Sequence, residues 1–351
     1  MSKNDINVAI NLLNKKRYIV LVPHRNPDGD AMGAVLGLFA FLKKIGHKIS
    51  IITPNEFPNF LAWLPDISKV KIFEKEKKKT TEMLHKAELI FTLDFNALHR
   101  TGTQMENVLK ELKTPFLMID HHENPSDYAT YMFSDTNYGS TCEMIYHFID
   151  KLGYSDKIDK QIATCLYTGI VTDSGSFKYP KTTSTTHRIV ANLLDKGIEN
   201  TKIHNLLFDN NSQDKLKLLG KALGNLKIFP ELKTAYIWLS QSDLVAFNFQ
   251  KGDTEGIVNY PLTIKGIVFS VIFIENYNEQ IIKMSFRSQG DFDVNVFAQK
   301  YFNGGGHKNA AGGRSERNLT QSIDDFLKAI EQDNPTKSSI MKLNTDLPKS
   351  N

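Results

Sequence analysis

Four short runs, each almost continuously apolar, constrain this chain more than any other feature. They are Tyr18-Ile19-Val20-Leu21-Val22, Lys48-Ile49-Ser50-Ile51-Ile52, Leu89-Ile90-Phe91-Thr92-Leu93 and Phe116-Leu117-Met118-Ile119. A strand with one wet face alternates polar and apolar residues. These runs do not alternate, so both faces must be covered, as in a parallel sheet with helices on each side. Helical patterns lie between them, notably Ala31 to Lys44, for which Asp30 is the expected N-cap. The expected class is therefore α/β, doubly wound. From about Tyr138 to Leu223 the pattern changes to successive helices. Strand-like stretches follow at Thr234–Leu239, Thr263–Ile274 and Gln280–Arg287, then a helix at 293–302. That order predicts a second, smaller α+β domain, joined to the first by helical segments near residues 199–223.

A chain of 351 residues suits two domains. Its 43 basic and 39 acidic side chains leave a net charge of +4, too mild for a protein that coats nucleic acid. A small anionic substrate held by a few placed cations fits better. Cys142 and Cys165 sit in apolar helical stretches and read as buried, reduced core residues. The opening Met1-Ser2-Lys3-Asn4-Asp5 lacks a signal-peptide apolar region, and no apolar run reaches the ~18 residues needed to span a bilayer. A cytoplasmic protein without a membrane partner is expected. The run Glu74-Lys75-Glu76-Lys77-Lys78-Lys79 reads as a solvated surface turn. Residues 334–351, polar and rich in Asn, Pro, Lys and Ser, read as a disordered tail.

The chemistry lies in where the acids and histidines fall. The first strand runs into Pro23-His24-Arg25-Asn26-Pro27-Asp28-Gly29-Asp30-Ala31, the third ends at Asp94, and the fourth ends at Asp120-His121-His122. Thr172-Asp173-Ser174-Gly175-Ser176 follows an apolar helix, Ile162 to Val171. Ligands of open parallel sheets collect beyond the carboxyl ends of the strands, so these elements deliver carboxylate and imidazole to one crevice. Each piece alone has a plainer reading: a turn, a strand end, a satisfied histidine. Together they call for divalent cations, because uncompensated buried acids cost several kcal/mol each. Carboxylate oxygen and imidazole suit Mn²⁺ and similar ions, and the set contains no thiolate that would suggest structural zinc.

In this combination the segments resemble the four motifs of the DHH phosphoesterases. In the second half, Ser285-Phe286-Arg287-Ser288 and the stretch from Gly304 to Gly313 are similar to the DHH-associated C-terminal domain. The resemblance spans residues 24 to 313. It implies a catalytic domain at 1–198, a helical linker at 199–225, a substrate-binding domain at 226–333, and an active site in the interdomain cleft. It places His24, Asp28 and Asp94 around one cation and Asp30, His121 and Asp173 around a second, with Asp94 bridging. Mn²⁺ is the expected ion at both. Asp120 would orient an imidazole, His122 would face the scissile phosphate, and a water activated by the two cations would be the nucleophile.

Gly304-Gly305-Gly306-His307 follows the helix ending at Phe302, and a glycine run with φ > 0 lets successive N–H groups converge on an anion. The plainer reading is a helix C-cap and tight turn. With the upstream motifs, phosphate binding by Gly304, Gly305, Gly306, His307 and Arg287 is expected, with Asn309 and Arg100 as further contacts. The branch most resembled comprises bacterial nanoRNases that also dephosphorylate 3′-phosphoadenosine 5′-phosphate. Expected partners are therefore short single-stranded oligonucleotides or a nucleoside bisphosphate, and a homodimer is left open. Manganese-dependent inorganic pyrophosphatases share the first-domain motifs but carry a basic signature where this chain has Gly304–His307. A RecJ-type exonuclease would bring a further nucleic-acid-binding domain and more basic residues. An inactive nucleotide-binding module would show a ligand position lost to an apolar residue, and every assigned position here keeps a donor.

Overall fold

The computed structural model describes residues 3–277 and 279–337. Chain contacts divide it into two compact units after Asn210. The first opens with α1 (Lys3–Leu13) and is built on six strands: β1 (Tyr18–Pro23), β2 (Lys48–Thr53), β3 (Val70–Ile72), β4 (Leu89–Leu93), β5 (Phe116–Asp120) and β6 (Tyr131–Ser134). They form one parallel sheet in the order β3-β2-β1-β4-β5-β6. The apolar runs form its centre. Within β1, Ile19 and Leu21 enter one core while Val20 and Val22 enter another on the opposite face, so the lack of alternation has its physical cause. The short flanking strands β3 and β6 are half-buried and gave no apolar run to read.

The helices of this unit are α2 (Gly29–Lys44), α3 (Lys77–Lys86), α4 (Thr103–Glu111), α5 (Thr141–Lys151), α6 (Lys160–Asp173), α7 (Ser184–Leu194) and α8 (Asn200–Phe208). One boundary differs from expectation. The N-cap of α2 is Asp28, whose side chain accepts from the N–H groups of Asp30 and Ala31; Asp30 lies inside the first turn and is buried. Asp28 thereby satisfies two orphan amides, while the Asp30 carboxylate is engaged by the N–H groups of Thr141 and Cys142 instead. Both cysteines are free and buried, as expected.

The second unit contains α9 (Gln213–Gly224), β7 (Lys227–Phe229), β8 (Thr234–Leu239), α10 (Gln241–Ala246), β9 (Phe269–Asn276), β10 (Ile281–Ser288), α11 (Val294–Tyr301), β11 (Gly305–His307), β12 (Ala310–Ser315) and α12 (Leu319–Gln332). Its sheet runs β11-β12-β10-β9-β8-β7, antiparallel except for the β8–β9 pair. The α+β expectation holds. The strand expected from Thr263 begins instead at Phe269, after a 3-10 helix at Ile257–Thr263 and a turn at Gly266, whose φ is +89°. The helical segment expected as a linker is divided between the units. Ile203 and Leu207 of α8 join the first core, while Leu218 and Ala222 of α9 join the second, because each helix has its own apolar stripe to bury. Of the expected tail, residues 338–351 lie outside the described residues. Asn334 is buried and donates from Nδ2 to the Ile330 carbonyl at 2.7 Å, so order continues past the expected boundary.

Candidate active site

The strand order reverses between β1 and β4, and in such sheets the crevice beyond that point collects ligands. The loop leaving β1 is held in shape by a side chain from the neighbouring strand's end. Asn26, at φ 56°, donates its N–H to Asn55 Oδ1 at 2.7 Å, and Asn55 Nδ2 donates to Asn26 Oδ1 at 2.7 Å. Two residues later Asp28 spends Oδ1 on capping α2 and points Oδ2 toward His24 Nε2, 3.9 Å away. At the end of β4, Asp94 adopts φ 66°, a left-handed backbone that aspartate visits more readily than most non-glycine residues.

Asp173 reaches the same place because α2 and α6 touch backbone to backbone. A Cβ on Gly33 would lie 2.5 Å from the Cys165 carbonyl oxygen, and one on Gly169 would lie 2.6 Å from Asp30 Oδ1. Glycines at 29, 33 and 37 on α2 and at 169 on α6 therefore set the spacing between the acids of the first helix turn and the end of α6.

Asp94 is the hub. Its Oδ2 lies 3.5 Å from His24 Nε2 and its Oδ1 lies 3.5 Å from His121 Nε2. His121 Nε2 is also 3.5 Å from Asp173 Oδ2. These spacings are long for hydrogen bonds. They match neighbouring donors on one small cation, which sit roughly 3.0–3.5 Å apart when each bond is ~2.0–2.2 Å. The other ring nitrogens agree. His24 Nδ1 lies 2.8 Å from the Arg25 carbonyl and His121 Nδ1 lies 3.3 Å from the Tyr138 carbonyl. An imidazole donating from Nδ1 presents a lone pair at Nε2, and lone pairs facing carboxylates need a cation between them. Among the donor groups that gather within 4.8 Å are His24, Asp28 and Asp94, then Asp30, Asp94 and His121, and also Asp94, Asp120 and His122. The residues present therefore fit a pair of divalent cations sharing Asp94.

Titration of the cluster reflects the same crowding. Burial, then the charges of Asp94 and Asp173, push the Asp30 carboxyl well above the carboxylate range. Asp173 is pushed up to about 6, by burial more than by its neighbours. Burial opposes ionisation of Asp94 too, but His121 and His24 hold it well below the usual value. Desolvation lowers His121, yet Asp94, Asp173 and Asp30 raise it to about 10. His24 is raised in the same way, against desolvation and the nearby charge of Arg100. Asp120 Oδ1 lies 2.7 Å from His122 Nδ1, so the imidazole it orients is His122. Arg100 is tied to this region through its carbonyl, which accepts from the Arg25 N–H at 2.8 Å.

Comparison with known proteins agrees with this geometry. Residues 18–170 match the DHH family, N-terminal domain, and residues 233–333 match the DHHA1 domain. The chain belongs to the DHH family. It is 28% identical over 298 residues to the bifunctional oligoribonuclease and PAP phosphatase NrnA of Bacillus subtilis, covering 84% of this chain and 88% of that one. A crystal structure of an exopolyphosphatase-related protein from Bacteroides fragilis superposes with a TM-score of 0.90 at 35% identity, covering 94% of this chain and 96% of the other. RecJ of Thermus thermophilus, solved with Mn²⁺, shares the fold at a TM-score of 0.52 and 13% identity; this chain covers 54% of it. The phosphoesterase class read from the motifs is thereby secured.

In the DHHA1 domain, Arg287 and His307 both register with Ala310, one from β10 and the other from β11. Register partners share a sheet face, so two cationic-capable side chains flank one small residue. The glycine run itself differs from expectation. It is an edge strand, not an open nest of amides: Gly304 N–H donates to the Ala298 carbonyl at 3.2 Å and Gly306 N–H to Asn295 Oδ1 at 2.8 Å. Glycine is needed there for close approach, since a Cβ on Gly304 would meet the Gly312 carbonyl. The Asn309 amide is likewise engaged, donating to Ser288 Oγ at 2.8 Å and the Gly290 carbonyl at 3.1 Å.

Sequence reading passed over the start of α5. Ser140 caps that helix, and the N–H groups of Thr141 and Cys142 donate to Asp30 Oδ2 and Oδ1 at 2.6 and 2.9 Å. Ser140-x-x-Glu143 before an apolar run is a helix-start signature that would have located it. Glu143 contributes its N–H to the cap, while its carboxylate accepts from Thr186 Oγ1 at 3.1 Å and so ties α5 to α7.

Proposed function

We propose that this phosphoesterase hydrolyses phosphate esters of short nucleotides, oligonucleotides of two to a few residues and 3′-phosphoadenosine 5′-phosphate, in the cytoplasm. The observation that carries this reading is Asp94, whose two oxygens each stand 3.5 Å from the Nε2 of a different histidine. His24, Asp28 and Asp94 would hold one divalent cation, and Asp30, Asp94, His121 and Asp173 a second, with Mn²⁺ favoured by the mixed carboxylate and imidazole set. When bound, two such ions supply Lewis-acid activation of water and neutralise charge on the phosphate. The protein's own groups do the rest. His122, held by Asp120, would donate to a phosphate oxygen, and Arg100, whose charge is felt at His24, would add a cation. Arg287 and His307 would take a second phosphate, the grip that distinguishes a dinucleotide or bisphosphate from a simple ester. The name of the Bacillus relative supports the substrate class. Turnover of 5′-labelled di- to decanucleotides and 3′-phosphoadenosine 5′-phosphate, with Mn²⁺ or with EDTA, tests it. Hydrolysis that is fastest on the shortest substrates and lost in EDTA is expected. Full activity in EDTA, or a preference for pyrophosphate, would refute it.

A further inference from the structure

The start of α5 does more than cap a helix. Thr141 is fully buried, and its hydroxyl donates to Asp94 Oδ1 at 2.9 Å across 47 residues of sequence, while its N–H donates to Asp30 Oδ2 at 2.6 Å. One residue therefore touches both carboxylates of the Asp30–Asp94–His121 group. A helix-start threonine ordinarily turns its hydroxyl back onto its own helix; this one does not. The Cys142 N–H completes the hold on Asp30, so that both of its oxygens are fixed by backbone.

Asp94 has greater need of such a support. Its backbone is held left-handed at φ 66°, and the terminal torsion of an aspartate is soft, with broad minima. A carboxylate meant to serve two ions must keep its plane so that each oxygen faces a different imidazole. We infer that Thr141 is a positioning residue for Asp94: its hydroxyl takes one lone pair of Oδ1 and locks the carboxylate plane that the two cation sites share. The inference rests on the two-cation reading above. Partners of this kind, one bond removed from the ion, typically contribute 10- to 100-fold in metal affinity.

Mn²⁺ titration of the whole protein, followed by the electron paramagnetic resonance of free Mn²⁺, tests it on Thr141→Val, Thr141→Ala and Thr141→Ser. Valine keeps the shape without the donor, and serine keeps the donor. Val and Ala should bind Mn²⁺ about 10- to 100-fold more weakly while melting near the wild-type temperature without metal. Ser should stay close to wild type, and excess Mn²⁺ should restore turnover to the Val variant. Wild-type affinity in Thr141→Val, or equal weakness in Thr141→Ser, would overturn the inference. So would loss of folding in both Val and Ala, which would make the contact purely structural. If the wild-type protein itself bound no Mn²⁺, the two-cation reading would fall first, a result distinct from all of these.

Discussion

Replacing Gly33 by alanine adds one methyl group, yet its effect should reach the active site. The new Cβ would lie 2.5 Å from the Cys165 carbonyl oxygen, 2.9 Å from Cys142 Sγ and 3.1 Å from Gly169 N. Ordinary carbon–oxygen contacts are ~3.3–3.6 Å, so α2 and α6 would have to separate by about 0.8 Å. Overpacking of this kind costs about 1–3 kcal/mol. In a unit of this size each kcal/mol lowers the melting temperature by roughly 2–4 °C, so a fall of about 2–12 °C is expected. The separation also draws Asp28, the cap of α2, and Asp30 in its first turn away from Asp173 on α6, and a displacement near 1 Å can reduce turnover by about 100-fold. Gly220 is the control. It lies inside α9, and a methyl group added there would meet nothing within 4 Å, so Gly220→Ala should be neutral or stabilise by about 0.5–1 kcal/mol. Thermal melts with and without Mn²⁺, together with turnover, measure both effects. A Gly33→Ala protein with wild-type melting and turnover would show that the close approach of the two helices does not set the site.

Two further outcomes follow from charge. His121 rises from 6.5 to about 10 and Asp173 from 3.8 to about 6, so both groups stabilise the metal-free fold below their unfolded values and lose that contribution as pH rises through the folded ones. The melting gain from Mn²⁺ should therefore be larger at pH 9 than at pH 6, and a gain independent of pH would count against cations replacing those protons. Arg287→Ala and His307→Ala should raise KM for dinucleotides and 3′-phosphoadenosine 5′-phosphate roughly 10- to 100-fold, the effect of losing ~1.5–3 kcal/mol of charge-assisted hydrogen bonding. Bis-p-nitrophenyl phosphate, with no second phosphate, should be hydrolysed as before by those variants and not at all by Asp94→Ala; equal loss on both substrates would place Arg287 and His307 at the reacting phosphate.

What could be read from sequence followed the physics of burial. Strands covered on both faces announce themselves as apolar runs, and β1, β2, β4 and β5 are evident from those alone. The acids and histidines at their ends can then be placed at one edge without knowing any distance. Half-buried edge strands give no such signal. β12, second from the edge beside β11, is equally silent, because its Ala310-Ala311-Gly312-Gly313 has little strand propensity. The glycine run at 304–306 misleads because glycine permits both positive φ and close contact, and sequence alone does not say which is in use.

The site shows a similar division. The groups that face a ligand are chemically conspicuous, and Asp94 or His121 can be singled out by type and place. The groups that hold them are ordinary. Asn55 and Thr141 carry no such mark: only the fold pairs the Asn55 amide with Asn26 and sets the Thr141 hydroxyl on Asp94. The glycines at 29, 33 and 37 gain their role only when α6 is laid against α2. Each supporting contact joins segments distant in the chain, so no local pattern encodes it, and it becomes visible only when the fold brings the partners together. The supports are also what keep the cluster in place. Four aspartates near two imidazoles would relax apart without fixed partners, and the buried amides and hydroxyl at the start of α5 prevent that for Asp30 and Asp94. Asp28 is held through its capping role instead, with half of its side chain left exposed.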